Sequence, residues 1–282
     1  MALIGTHISV AGGLVKAFDR ADALGCEAMQ IFTRNQRQWQ NKPVSLEEAR
    51  AFYDAWKLSG VKDVTTHASY LINIASDNGE MLNKSRIALI DEIERCGQLG
   101  IDKIVLHPGF ANNADEETAL MTICDSLRFV FDMTQYFKDV NILLETMAGQ
   151  GSAIGGCLEH FTRIGDELDW PERLAFCVDT CHVYAAGYDL RSADAYERFV
   201  SALDRHIGIG NIFCWHINDC KSVRGSHLDR HEHIGEGEIG QAPFSMIVND
   251  ERFENVPAIL ETPKDGIGDV GNLAFLRKVR GR

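Results

Sequence analysis

From His227 to Gly240 the chain reads HLDRHEHIGEGEIG. Three imidazoles and several carboxylates share a Gly-rich segment that can be neither a good helix nor a long strand, so they belong to a loop. Histidine with aspartate at short spacing is metal-ligand chemistry. Spacing alone does not select the ligands. In an extended stretch Asp229 and His231 face one side, but so do His231 and His233.

Six apolar runs elsewhere end in the same kinds of residue. TTHAS carries His67, VLHPG His107, LLETM Glu145, CVDTCH Asp179 and His182, CWHIND His216, and ILETP Glu261. Any one of these, alone, reads as a capped or ion-paired strand end. Six brought to one place would be costly unless cations neutralised them. A polynuclear metal site is the economical explanation. Imidazole and carboxylate with no placed thiolate suit zinc, with manganese or iron as alternatives, whereas magnesium and calcium favour all-oxygen cages.

What must bring them together is the alternation of strand-like and helix-like runs. The strand candidates are Leu3–Val10, Glu27–Thr33, Asp63–Ser69, Lys103–Pro108, Asn141–Met147, Leu174–Thr180, Asn211–Asp219 and Val256–Thr262. Between them lie amphipathic stretches such as Leu46–Leu58 and Lys84–Leu99. Ser45 with Glu48 forms a capping box, and Asp115 opens the run toward Phe137. Strand–helix alternation predicts a parallel sheet, and eight repeats predict an α/β fold closed as a (β/α)8 TIM barrel. No dinucleotide-type GxGxxG follows the first strand. In such a barrel all strand ends point to one face, where catalytic groups gather. Parity agrees: Thr65 with His67, Leu143 with Glu145, Cys177 with Asp179 and Ile259 with Glu261 share a face in pairs.

A chain of 282 residues fits a single barrel domain over 1–282, since such barrels take ~250 residues. Eight cysteines without CxxC spacing read as buried free thiols in a reducing cytosol. The N-terminus lacks a basic signal-peptide region, and no apolar run approaches the ~20 residues of a membrane span. The expectation is a cytoplasmic protein with no membrane partner, working as a monomer. Net charge of −13 argues against a broad basic surface.

The chain resembles bacterial endonuclease IV, the zinc-dependent apurinic/apyrimidinic (AP) endonuclease family, along essentially its full length. The matching stretches are GTHISVAGG, FTRNQRQW, SYLIN, VLHPG, ETMAGQGSAIG, CVDTCHVYAAGYDL and HINDCKSVRGSHLDRHEHIGEG. The last two are highly specific. The resemblance implies three zinc ions, with manganese possible at some sites. His67, His107 and Glu145 look like the ligands of one, Glu145, Asp179, His216 and Glu261 those of a second, and His182, Asp229 and His231 those of the third. His227 and His233 are not carried over and read as solvated or as supports for a ligand. His7 likewise reads as a support. The chain departs from the family at Thr146, Met147 and Cys220, none of them a ligand position.

The implied reaction is hydrolysis of the phosphodiester 5′ to an abasic site, leaving 3′-hydroxyl and 5′-deoxyribose phosphate ends, together with removal of 3′-blocking groups. The substrate is damaged double-stranded DNA with abasic sites or blocked 3′ ends. Hydroxide between the Glu145-bridged metals is the expected nucleophile, oriented by Glu261. Arg37, Tyr70 and Leu71 resemble the family's duplex-wedging residues. Arg34, Arg37, Lys221, Arg224 and Arg230 sit in loops on the same face, and with the metals they are expected to offset the acidic total. Two rivals stand beside this reading: a xylose-isomerase-like sugar isomerase or epimerase, and a non-catalytic barrel that binds DNA ends.

Overall fold

The short apolar runs form a ring of parallel strands. A computed structural model describes residues 1–281, and in it eight strands close into a barrel. They are β1 (Leu3–His7), β2 (Ala28–Ile31), β3 (Asp63–His67), β4 (Lys103–Leu106), β5 (Asn141–Glu145), β6 (Leu174–Asp179), β7 (Ile212–His216) and β10 (Pro257–Leu260). Each pairs with its neighbour in sequence, and β10 closes against β1. Outside the ring, β8 (Asp219–Cys220) and β9 (His231–Glu232) form a small antiparallel ladder with Cys220 opposite His231.

The helices are α1 (Lys16–Leu24), α2 (Leu46–Leu58), α3 (Gly79–Leu99), α4 (Glu116–Met133), α5 (Leu158–Leu168), α6 (Thr180–Ala186), α7 (Ala193–Ile207), α8 (Ala242–Asn249) and α9 (Gly268–Val279). The Ser45–Glu48 capping box starts α2, each partner bonding the other's backbone N–H. Asp115 caps α4, but that helix stops at Met133 and a separate 3-10 turn runs from Gln135 to Phe137. Asn78 caps α3, which starts at Gly79, five residues before the expected Lys84.

The strands end earlier than the apolar runs that announced them. β1 stops at His7 rather than Val10, and β4 at Leu106, two residues before a proline that has no N–H for the ladder. The run expected from Asn211 to Asp219 splits into β7 and β8, because the chain leaves the ring after His216. CVDTCH is not strand throughout. Asp179 ends β6 and caps α6 through its side chain, so His182 stands on a helix.

The core has two layers. Phe52, Phe161, Phe176, Trp215 and Phe244 fill the space between ring and helices, and Leu3, Ala28, Val105, Leu143, Ala175, Cys177, Cys214 and Ile259 fill the barrel. Truncating an aliphatic member of either layer, Leu143→Ala for example, costs about 2–5 kcal/mol. Gly5 is required where β1 approaches β2, since a Cβ there would stand 1.8 Å from the Ala28 carbonyl oxygen. All eight cysteines are free, and all but Cys157 are buried. No helix among the described residues is long and apolar enough to cross a membrane.

Candidate metal centre

Inward positions alternate along each strand, so the residue two after an interior plug stands at the mouth. Val105 thus lies beneath His107, Leu143 beneath Glu145, Cys177 beneath Asp179, Cys214 beneath His216 and Ile259 beneath Glu261. The result is a ring of imidazoles and carboxylates at the C-terminal ends of the strands. The β8–β9 loop and α6 bring His182, Asp229 and His231 to the same place.

Three of the groups of donor atoms that gather there, each within 4.8 Å, are His67, His107 and Glu145; Glu145, Asp179, His216 and Glu261; and His182, Asp229 and His231, while cysteine thiols come within the same reach in Cys177, Cys214 and His216 and in Asp179, Cys181 and His231. Glu145 is common to the first two. Its Oε2 lies 3.2 Å from His67 Nε2 and 2.9 Å from His107 Nε2, while its Oε1 lies 2.8 Å from His216 Nδ1. Glu261 Oε2 is 3.2 Å from His216 Nδ1. Asp229 reaches His182 Nε2 at 3.3 Å and His231 Nε2 at 3.2 Å.

The hydrogen bonds behind the rings show what these groups are built to hold. A carbonyl oxygen only accepts, so the ring nitrogen beside it carries the proton. His67 donates from Nδ1 to the Ala68 carbonyl at 2.7 Å, His182 to that of Thr146 at 2.8 Å, and His231 to that of Glu261 at 3.2 Å. His216 donates from Nε2 to the Gln30 amide oxygen at 2.8 Å. In the neutral rings the opposite nitrogens then present bare lone pairs to carboxylate oxygens, an arrangement that needs a cation between them. The Nε2 atoms of His182 and His231 are buried without a hydrogen-bond partner. The donor set therefore fits a borderline metal such as zinc.

Electrostatics agree. Burial works to raise the Glu145 carboxyl, but His216 and His107 overcome it and hold it well below the usual carboxylate range. Burial likewise opposes charge on His216 and His182, yet Glu261 and Glu145 raise the first and Asp179 and Asp229 the second well above the ordinary imidazole value. In the metal-free chain, protons are pulled to the places where cations would sit.

Three polar residues that sequence reasoning passed over complete the mouth. Gln30 stands on β2 two residues above Ala28. Asn218 donates to Asp179 Oδ2 at 2.7 Å and accepts from the Glu261 N–H at 2.8 Å. Asp219 explains the glycines of the opening stretch. Its buried carboxylate accepts backbone N–H groups from Gly235, Ile239 and Gly240 at 2.8, 2.9 and 3.3 Å, and from Gly237 at 3.2 Å. Gly237 has no room for a side chain, since a Cβ would meet the Cys220 carbonyl at 2.4 Å and Asp219 Oδ1 at 2.6 Å.

Some expectations need correction. His233 is neither solvated nor against a candidate ligand. It is buried just past the end of β9, where its Nδ1 accepts from Asn272 at 3.0 Å. His227 is exposed and donates to the Ala148 carbonyl at 2.9 Å. His7 Nδ1 does lie 3.5 Å from Glu261. Arg34 is buried, its guanidinium committed to Asp91 and to the carbonyls of Gln38 and Trp39, so it offers nothing to a phosphate. Arg224 pairs with Asp189 and Lys221 with Glu232. Arg37 and Tyr70 are exposed and Leu71 half-buried, with the Tyr70 ring 5.4 Å from His67 and 5.8 Å from His107. Of the departures, Thr146 touches the site, its hydroxyl accepting from the Asp179 N–H at 2.9 Å.

Comparison with known proteins places this arrangement. Residues 18–279 match the family of xylose isomerase-like TIM barrels. The probable endonuclease 4 of Chloroflexus aurantiacus is 44% identical over 282 residues, covering 99% of this chain and 98% of the relative. The crystal structure of endonuclease IV from Thermus thermophilus superposes with a TM-score of 0.88 at 32% identity, covering 98% of each chain. A D-tagatose 3-epimerase-like protein shares the fold, with a TM-score of 0.75 at 20% identity over 98% of this chain and 96% of that one.

Proposed function

The chain belongs to the endonuclease IV family, and we propose that its mouth holds three zinc ions, with manganese able to replace some of them, for repair of abasic DNA. The enzyme is an AP endonuclease: it hydrolyses the phosphodiester 5′ to the abasic site, leaves 3′-hydroxyl and 5′-deoxyribose phosphate ends, and clears blocked 3′ ends. The observation that carries the metal reading is the set of imidazole lone pairs turned toward shared carboxylates. His67, His107 and Glu145 would hold one ion, Glu145, Asp179, His216 and Glu261 a second, and His182, Asp229 and His231 the third. When bound, such ions acidify a water and stabilise attacking and leaving oxygens of an in-line displacement.

The chain's own residues supply position. Glu145 joins two ligand groups through its two oxygens and stays ionised, because the imidazoles around it depress its pKa. Glu261, tied by its backbone to Asn218 and His231, orients the attacking water. Backbone carbonyls lock His67, His182 and His231 against rotation. Arg37, Tyr70 and Leu71 approach the duplex from the exposed rim, where extruding an abasic nucleotide costs less than extruding a paired base.

The test combines metal content with incision. Plasma emission spectrometry of gently purified protein should return about three zinc per chain, and the protein should nick an abasic duplex. Glu145→Gln should keep the fold and lose incision by orders of magnitude. One metal per chain with no incision would transfer the reading to the sugar epimerases that share the fold. Near-wild-type turnover of Glu145→Gln would remove the bridge.

A further inference from the structure

We propose that Gln30 is a positioning residue for this hydrolysis, fixing the ring of His216 and the carboxylate of Glu261 through one carboxamide. The proposal rests on the three-group reading of the mouth. Gln30 is fully buried on the inward face of β2. Its Oε1 accepts the Nε2–H of His216 at 2.8 Å, and its Nε2 donates to Glu261 Oε1 at 2.6 Å. The same amide nitrogen lies 3.1 Å from His7 Nδ1, so its two hydrogens have two acceptors. Only one orientation of the amide serves all three. Turned over, its carbonyl would oppose the Glu261 carboxylate with no proton between them.

His216 differs here from its neighbours. His67, His182 and His231 give their outer protons to backbone carbonyls, which no substitution can remove. His216 gives its proton to a side chain. The Nδ1 lone pair that faces Glu145 and Glu261 is therefore set by Gln30. Without that acceptor the ring is free to turn over or to carry its proton on Nδ1, where it would block the inner position. Glu261 would meanwhile lose the short hydrogen bond that holds one of its oxygens away from His216 and leaves the other facing it.

Two variants separate hydrogen bonding from packing. Gln30→Met fills similar space with no polar atom, and Gln30→Glu keeps an acceptor for the His216 proton. In a competition with a zinc chelator, Gln30→Met should release one of three zinc equivalents about 10–100-fold more readily than wild type, a typical effect of removing a partner behind a ligand. The other two equivalents should hold. Single-turnover incision should fall while KM for abasic duplex stays near wild type. Gln30→Glu should recover only part of the zinc retention, since it restores the acceptor for His216 but sets an oxygen in place of a donor against Glu261. In the cobalt-substituted protein, the d–d bands should shift in both variants, which a merely structural role would not produce.

Wild-type zinc release by a folded Gln30→Met protein would overturn the role. So would equal loss in both variants, which would deny that the acceptor for the His216 proton matters. Should Gln30→Met fail to fold, the cobalt spectrum of Gln30→Glu decides: a spectrum identical to wild type overturns the proposal. A wild-type chain that neither holds zinc nor incises sinks the underlying functional reading instead.

Discussion

His231 and His233 stand two residues apart in HLDRHEHIGEGEIG, yet the structure sends their side chains to different environments, and substituting each by alanine should separate metal binding from stability. His233 is 5% exposed, accepts from Asn272, and packs 3.0 Å from where a Cβ on Gly266 would stand. His233→Ala leaves a cavity, about 2 kcal/mol at the low end for a buried side chain because a loop forms part of the wall and can relax. Asn272 loses an acceptor, but its amide also donates to Thr262 Oγ1 and the Gly268 carbonyl, so that loss is worth about 1 kcal/mol. The total is about 3 kcal/mol. Over 282 residues, an unfolding entropy of about 2.1 cal/mol/K each gives about 0.6 kcal/mol/K, and hence a melting temperature lower by about 5 °C. Zinc content should not change. His231→Ala should do the reverse, emptying one of three sites while the chelated protein melts within about 2 °C of wild type. Calorimetry of chelated samples beside elemental analysis of untreated ones reads both effects. A full metal equivalent lost from His233→Ala, or three retained by His231→Ala, would refute the division of this loop.

Two further outcomes are expected. Tyr70→Ala should weaken binding to abasic duplex about ten-fold or more, since stacking of one aromatic side chain on a base is worth about 1–3 kcal/mol, and Tyr70→Phe should bind as wild type; a Tyr70→Ala protein with undiminished affinity returns that ring to loop packing. The chelated and zinc-loaded proteins should respond oppositely to pH. His216 and His182 have raised pKa values in the metal-free fold, so their contribution is fully present below the unfolded value of about 6.5 and is lost as pH rises through the folded values. Zinc needs neutral imidazoles, so the loaded protein should instead lose metal and stability as pH falls through those raised folded values. Melting temperatures from pH 6 to 9 that moved in the same direction with and without chelator would contradict the account.

The barrel was legible because its signal is local and repeated. Each strand announces itself by a short apolar run, and each mouth residue by parity with the plug beneath it. The ring was read through six charged or imidazole strand ends, with His7 set aside as a seventh. Gln30, the eighth, escaped notice because a neutral amide at the end of AMQ carries no charge that would need explaining. Asp219 escaped for another reason. Its partners are backbone N–H groups from Gly235 to Gly240, and no residue type advertises such a bond beyond the glycines themselves. The fates of Arg34 and His233 were equally hidden, since Asp91 and Asn272 lie 57 and 39 positions away along the chain. Sequence spacing told which residues share a face. It could not tell which of two outward-looking side chains the tertiary structure would cover.

The acidic total and the DNA substrate are reconciled at the mouth rather than by the loops. Several basic residues expected to meet phosphate are already engaged: Arg34 by Asp91, Arg224 by Asp189 and Lys221 by Glu232. Arg37 remains exposed, with no ion-pair partner among the described residues. With five imidazoles neutral, Glu145, Asp179, Asp229 and Glu261 would by themselves make the mouth repel a phosphodiester. Three divalent cations, held as proposed, would outweigh those four carboxylates and reverse the sign of the local field. The residues that bind metal would thus also make the substrate electrostatically acceptable, and potential at the site, not charge summed over the chain, governs approach. A duplex would then have one favoured place to settle, the ring of strand ends where the proposed chemistry takes place.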